Sequence, residues 1–162
     1  YKYSRLSYEE CADIIRRYVR ASQVDLLRFF RIVLFNYITL NDDAHLKNFS
    51  LMDRGNGDYR LAPAYDLINT SLHLYNPSIF ALEKGLFKEG MHLSDTRSVG
   101  RGDFEEFGRR IGLPTKTVGR EIDTFATESP LALRLIECSF LSEKLKRQYV
   151  RSYSYRCFTL RG

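Results

Sequence analysis

The sequence predicts a mainly α-helical domain with one small β-hairpin near its middle. Three observations carry that reading. A capping box at Ser7–Glu10 opens a helical apolar period, the stretch SQVDLLRFFRIVLFNYITL is apolar on nearly every face, and a Gly/Asn/Asp loop joins two short apolar runs after it.

Taken in order, Ser7 can cap free amides while Glu10 reaches back, and Ile14, Ile15, Tyr18 and Val19 then recur at helical spacing. Ser22 and Asp25 repeat the device before the second, apolar helix, which reads as the buried spine and ends at Asn41. FSLMD and YRLAP flank Arg54-Gly55-Asn56-Gly57-Asp58 and read as a hairpin over 49–63. AYDLINTSL follows as a loop leading into a short helix. Residues 74–102 lack clear periodicity and read as mostly loop with mobile parts. Order returns at Asp103, with Glu106 completing another capping box, and Gly112 with Pro114 ends that helix. A further helix spans Lys116 to Phe125. Ser129-Pro130, cap then first-turn proline, opens a long amphipathic stretch towards Phe158 that breaks near Ser139–Ser142.

Composition sets bounds on function. A chain of 162 residues makes one domain, 1–162, able to bury roughly 70% of the surface its unfolded form exposes. The net charge of +5 favours acidic partners such as nucleotides, nucleic acid or an acidic protein. Cys11, Cys138 and Cys157 are odd in number and form no CxxC pair, which points to a reducing, cytoplasmic setting rather than to disulfides or zinc. The most apolar stretch, Leu26 to Leu40, is interrupted by Arg28, Arg31 and Asn36 and is too short to span a bilayer, so no membrane partner is expected. No signal peptide opens the chain, and its start at Tyr1 without Met suggests a fragment or a processed chain.

The chemistry concentrates in NDDAHLKNFSL, residues 41–51. Asp43 followed five positions later by Asn48 has the D-x-x-x-x-N spacing of a phosphoryl-transfer loop. There a carboxylate accepts the proton of a reluctant hydroxyl, and a neutral amide oxygen ligates a hard cation without adding charge. The spacing alone is weak. It gains force from the hairpin, which returns the chain to Tyr65-Asp66, so that Asp66 is expected beside Asn48 as a second Mg²⁺ ligand. The Asp of D-F-G holds this post-hairpin place in protein kinases. Lys47 suits a phosphate. Plainer readings stand beside these: Asp42 and Asp43 as caps of a helix or turn, Asp66 as the N-cap of the short helix after it, His45 and Lys47 as surface residues.

DDAHLKNFSLM followed by GDYRLAPAYDLI resembles the C-terminal lobe of the HipA-like toxin kinases, whose signature is N-x-D-x-H-x-K-N and then Y-D-[LI]. The likeness extends more diffusely to Lys2-Tyr3-Ser4, the buried helix and the closing FLSEKLKRQY. It implies a serine/threonine kinase, the toxin of a toxin–antitoxin system, that moves the γ-phosphate of ATP to a protein substrate. It further implies that Asp43 is the catalytic Asp and that Asn48 and Asp66 hold Mg²⁺, with His45, Lys47 and Tyr65 in contact with ATP. The implied partner is a DNA-binding, HipB-like antitoxin.

Half of a kinase is missing from the pattern. No G-x-G-x-x-G loop and no V-A-I-K-like strand is present, and GLFKEG is too sparse in Gly and follows Asp66. The chain therefore reads as an excised C-lobe or as the partner of a separately encoded N-lobe, with weak ATP affinity and little activity alone. Ordinary protein kinases place Lys two positions after the catalytic Asp, where His45 stands here. This favours the HipA-like branch.

Two rival functions are a catalytically silent module that docks an antitoxin or DNA, and a metal-dependent nuclease using Asp43, His45 and Asp66. The basic aromatic tail admits weak DNA contact through Lys146, Arg147, Arg151 and Arg156 among Tyr149, Tyr153, Tyr155 and Phe158. The plainer reading is an aromatic packing stripe with a solvated basic face. Arg109 and Arg110 are a second basic candidate, though arginines at a helix end also favour its dipole.

Overall fold

The structure is a computed structural model that describes residues 5–74, 77–91 and 98–162. The Lys2-Tyr3-Ser4 likeness and part of the 74–102 loop lie outside the described residues. Six α-helices and one two-stranded antiparallel sheet are described: α1 (Tyr8–Tyr18), α2 (Ser22–Ile38), β1 (Leu51–Asp53), β2 (Tyr59–Leu61), α3 (Arg101–Arg110), α4 (Thr115–Ala126), α5 (Pro130–Glu137) and α6 (Glu143–Thr159). The predicted class, mainly helical with a central hairpin, is the one observed.

Sequence chemistry sets most of the boundaries. Ser7 accepts from the Glu10 amide while the Glu10 carboxylate accepts from the Ser7 amide, the reciprocal bonds of a capping box. Ser129 and Ser142 cap α5 and α6, so the closing stretch does break where its serines cluster. In the hairpin, Leu51 pairs with Leu61 and Asp53 with Tyr59. Its turn holds Gly55, Asn56 and Gly57 all at positive φ, a run that only Gly and Asn take at low cost, and Asp53 accepts from the Gly55 amide.

Two predicted caps are corrected. α2 starts at Ser22 with Ala21 at its N-cap and no side-chain cap, because Asp25 is buried and accepts instead from the Leu61 amide of β2 at 2.8 Å. α3 starts at Arg101, two residues early, since Asp103 reaches back to the Gly100 amide at 3.0 Å. Glu106 does not cap. It takes Arg109 and Arg110, whose guanidiniums hold its carboxyl down at about 2.

α2 is the spine. Leu26, Phe29, Phe30, Val33, Leu34 and Tyr37 are buried along it, and α1, α4, α6 and β2 all pack on it. Phe30 stacks on Phe107 at 5.8 Å, and Tyr37 meets Phe104 edge-on at 5.0 Å, which locks α3 onto the spine. Arg31 forks onto Glu121 with two 2.7 Å bonds, tying α2 to α4. Gly85 and Leu86 of the GLFKEG segment accept from the Tyr8 and Glu9 amides, so this loop seats the start of α1.

In the tail, Tyr153 is buried and Tyr149 packs against the core, while Tyr155 and Phe158 are exposed. Arg156 lies over the Tyr37 ring at 4.6 Å. Half of the aromatic stripe therefore packs inward and half faces solvent. Arg110 is held by Glu106, Glu89 and Glu9, and Arg109 by Glu106. Among the described residues no helix is long and apolar enough to cross a membrane.

α3 and α4 approach closely at Gly108. A Cβ there would stand 2.5 Å from Val118 Cγ2 and 2.8 Å from Cγ1. Gly108→Ala is therefore expected to destabilise the fold by about 1–2 kcal/mol even after its helix-propensity gain of about 1 kcal/mol. Val118→Ala in the same chain should recover most of that loss in urea denaturation. Equal midpoints for the single and double variants would contradict the clash.

Candidate active site

The site begins where α2 ends. Leu40 takes φ +58°, the Asn41 amide donates to Asn36 O at 2.9 Å and the Leu40 amide donates to Tyr37 O at 3.4 Å. This is a Schellman closure with Leu where Gly is usual. The Leu40 carbonyl accepts from the Thr70 and Ser71 amides, which holds the strained residue against the chain following Asp66.

The two neighbouring aspartates separate into different environments. Asp42 braces the loop through distant residues and caps no helix or turn. One of its carboxylate oxygens accepts from the Thr70 hydroxyl and the other from the Ser78 amide at 3.0 Å. Asp43 keeps its carboxylate partly open, at 35% exposure, while its backbone is fixed: its amide donates to Asn41 Oδ1 at 3.2 Å and its carbonyl accepts from the His45 amide at 2.7 Å. His45 is buried, and its Nε2 lies 3.9 Å from Asp43 Oδ1. Between them, the Ala44 carbonyl accepts from the Tyr8 hydroxyl at 2.9 Å. Burial pushes the Tyr8 phenol far above its ordinary range, so it serves as a neutral donor.

Leu46–Asn48 forms one 3₁₀ turn and presents Asn48. Asn48 Nδ2 donates to Asp66 Oδ2 at 2.8 Å, so the hairpin does return Asp66 to the loop. Asp66 is exposed and stands at φ +57°, which makes it a strained loop residue rather than a helix cap; the helix expected after it is a single 3₁₀ turn, Ser71–His73. The Tyr65 hydroxyl bonds Lys47 O and Ser50 Oγ, bracing the turn from the other side. Lys47 is exposed. Asp43, His45, Lys47, Asn48, Tyr65 and Asp66 thus all belong to one loop and the strand exit that closes on it.

The donor set fits a hard divalent cation. Asn48 Oδ1 is buried with no hydrogen-bond partner among the described residues, a state that native structures seldom leave uncompensated, and the Asp66 carboxylate lies against the same amide at Nδ2. One neutral and one charged oxygen suit Mg²⁺ whose remaining positions are filled by phosphate and water. Among the described residues no three His, Cys, Asp or Glu side chains group as metal ligands, so the nuclease set of Asp43, His45 and Asp66 does not form a cluster.

Three supporting residues escaped the sequence reading: Tyr8, Asn36 and Thr70. Asn36 gave the only available signal, an amide in the apolar last turns of the spine helix; Tyr8 and Thr70 reach the loop through tertiary contacts alone.

The family model of the HipA-like C-terminal domain matches residues 1–132. A Haemophilus influenzae protein named “Putative kinase” is 32% identical over 117 residues, which cover 67% of this chain and 34% of that protein. A Sinorhizobium fredii protein of the same name, Y4mE, is 34% identical over 64 residues, 40% of this chain and 15% of that one. Among solved structures, a chain of the Shewanella oneidensis MR-1 toxin–antitoxin complex of HipA, HipB and operator DNA superposes with a TM-score of 0.72 at 21% identity. That match covers 94% of this chain and 35% of the other, and it shows a shared fold. The chain spans about a third or less of the length of the relatives it matches. With the family model covering most of its length and the fold agreeing, the chain belongs to the HipA-like C-terminal domain family.

Proposed function

We propose that residues 1–162 form the C-terminal catalytic lobe of a serine/threonine kinase that transfers the γ-phosphate of ATP to a protein hydroxyl, and that this kinase is the toxin of a toxin–antitoxin pair. The observation that carries the reading is the Asn48–Asp66 contact, 2.8 Å across the closed hairpin, in the loop that also holds Asp43. The working parts are the catalytic loop 41–50, the hairpin 49–63, the metal segment 64–70 and the helical remainder 103–160.

In this reading Asp43 accepts the proton of the substrate hydroxyl, its open carboxylate being what a Ser or Thr side chain would meet. Asn48 and Asp66 hold Mg²⁺, which neutralises charge on the phosphates when bound. Lys47 and Tyr65, both exposed, face ATP, with His45 behind them. The residues that grip the nucleotide from above come from elsewhere in the protein or from a separate N-lobe. A HipB-like antitoxin is the inferred partner, supported by the presence of HipB and operator DNA in the Shewanella complex. Contact with DNA, where it occurs, is weak or indirect and falls to the tail cations, since Arg109 and Arg110 are engaged by carboxylates.

The test uses the complete gene product with γ-labelled ATP and Mg²⁺. Acid-stable label on Ser or Thr, lost on chelation, is the expected result. Label on no hydroxyl amino acid, with or without Mg²⁺, would sink the reading.

A further inference from the structure

We propose that Asn41, braced by Asn36, is a positioning residue that sets Asp43 and Asp66 in register, an inference that rests on the kinase reading of those two carboxylates. Asn41 is 4% exposed, and its side chain uses both of its donors and its acceptor. Its Nδ2 donates to Asn36 Oδ1 and to the Asp66 carbonyl, each at 3.0 Å, while its Oδ1 accepts from the Asp43 amide at 3.2 Å. One planar amide therefore touches the backbone of both functional residues and the end of the spine helix at once.

Geometry explains why this matters. Asp66 sits in the left-handed region, which an L-residue with a side chain leaves unless its surroundings hold it. Its backbone carbonyl is held by Asn41 and its carboxylate by Asn48. Asn48 is itself a candidate ligand and would turn its oxygen to the cation. Asn41 makes no such contact and can hold Asp66 throughout the cycle. Asn36, 6% exposed, presents its oxygen from the last turns of α2 and fixes the plane of the Asn41 amide. Asn41→Ala removes all three side-chain bonds; Asn36→Ala removes only the brace.

The experiment measures Mn²⁺·ATP dissociation constants by electron paramagnetic resonance, together with kcat and KM of label transfer, on the complete gene product. Asn41→Ala should weaken Mn²⁺·ATP by about 10- to 100-fold and lower kcat, with KM for the phosphoacceptor unchanged; Asn36→Ala should do the same to a smaller degree. A residue that merely stabilised the fold would lower the melting temperature and the active fraction, but the dissociation constant of the folded molecules would stay at the wild-type value. Asn36→Ala retains every backbone bond of the loop and so remains readable where Asn41→Ala fails to fold. Wild-type Mn²⁺·ATP affinity in the folded variants, beside a loss in Asp66→Ala, overturns this proposal alone. Wild-type affinity in Asp66→Ala overturns the metal-site reading, and the positioning role with it.

Discussion

Asp43→Ala in the complete gene product is expected to lower kcat for phosphoryl transfer by about 10²–10⁴, with nucleotide affinity and melting temperature close to those of the wild type. The backbone of Asp43 is fixed independently of its side chain. Asp43 contributes to the loop through its amide and carbonyl, bonded to Asn41 and His45, and both survive truncation of the side chain. At 35% exposure its carboxylate is partly solvated, so losing it costs less than losing a buried one. Asp43→Asn should fall nearly as far, because an amide keeps the shape but cannot take a proton. Asp42→Ala gives the opposite signature. That carboxylate bonds Thr70 and Ser78, so stability falls while the folded fraction retains its turnover. Label transfer, calorimetric nucleotide titration and thermal melts on the three variants read this out. Undiminished turnover in Asp43→Ala would remove it from the chemistry.

What could be read from the sequence follows from how local each interaction is. The Ser7–Glu10 box, the Ser129 and Ser142 caps and the Gly-Asn-Gly turn depend on neighbours within four residues, and they appear as expected. The pairing of Asn48 with Asp66 was also legible, because a hairpin brings its ends together whatever its side chains are. The Ser22–Asp25 and Asp103–Glu106 boxes failed for a shared reason. A carboxylate three residues after a candidate cap will leave it for a better donor, and each found one: the Leu61 amide of β2 for Asp25, and an arginine pair for Glu106. The supports of the catalytic loop were out of reach altogether. Tyr8 contacts Ala44 across 36 positions and Thr70 contacts Asp42 across 28, and no local period encodes either.

Asp25 is where the fold should feel a single substitution strongly, and the effect should pass to the metal site. The residue is 3% exposed. One carboxylate oxygen accepts from the Leu61 amide at 2.8 Å and the other from Arg28 at 3.1 Å, while Arg28 also reaches the Leu61 carbonyl at 3.3 Å. Asp25→Ala strands a buried amide, at about 1–3 kcal/mol, and breaks a half-exposed ion pair worth at most about 1 kcal/mol, so a loss of about 1–4 kcal/mol is expected. For a chain of this size that is a fall of roughly 2–15 °C in Tm. Asp25→Asn should lose less, since an amide oxygen can still accept from Leu61. The hairpin docks on α2 through this contact, and the strand leaving Leu61 is the one that delivers Asp66 to Asn48. A mis-seated β2 would therefore weaken Mn²⁺·ATP binding even in molecules that remain folded, although Asp25 itself belongs to neither the loop nor the metal segment. Urea denaturation and Mn²⁺ titration on the same samples check both halves: a loss below about 0.5 kcal/mol would mean that Asp25 does not seat the hairpin, because that is the range of ordinary surface substitutions.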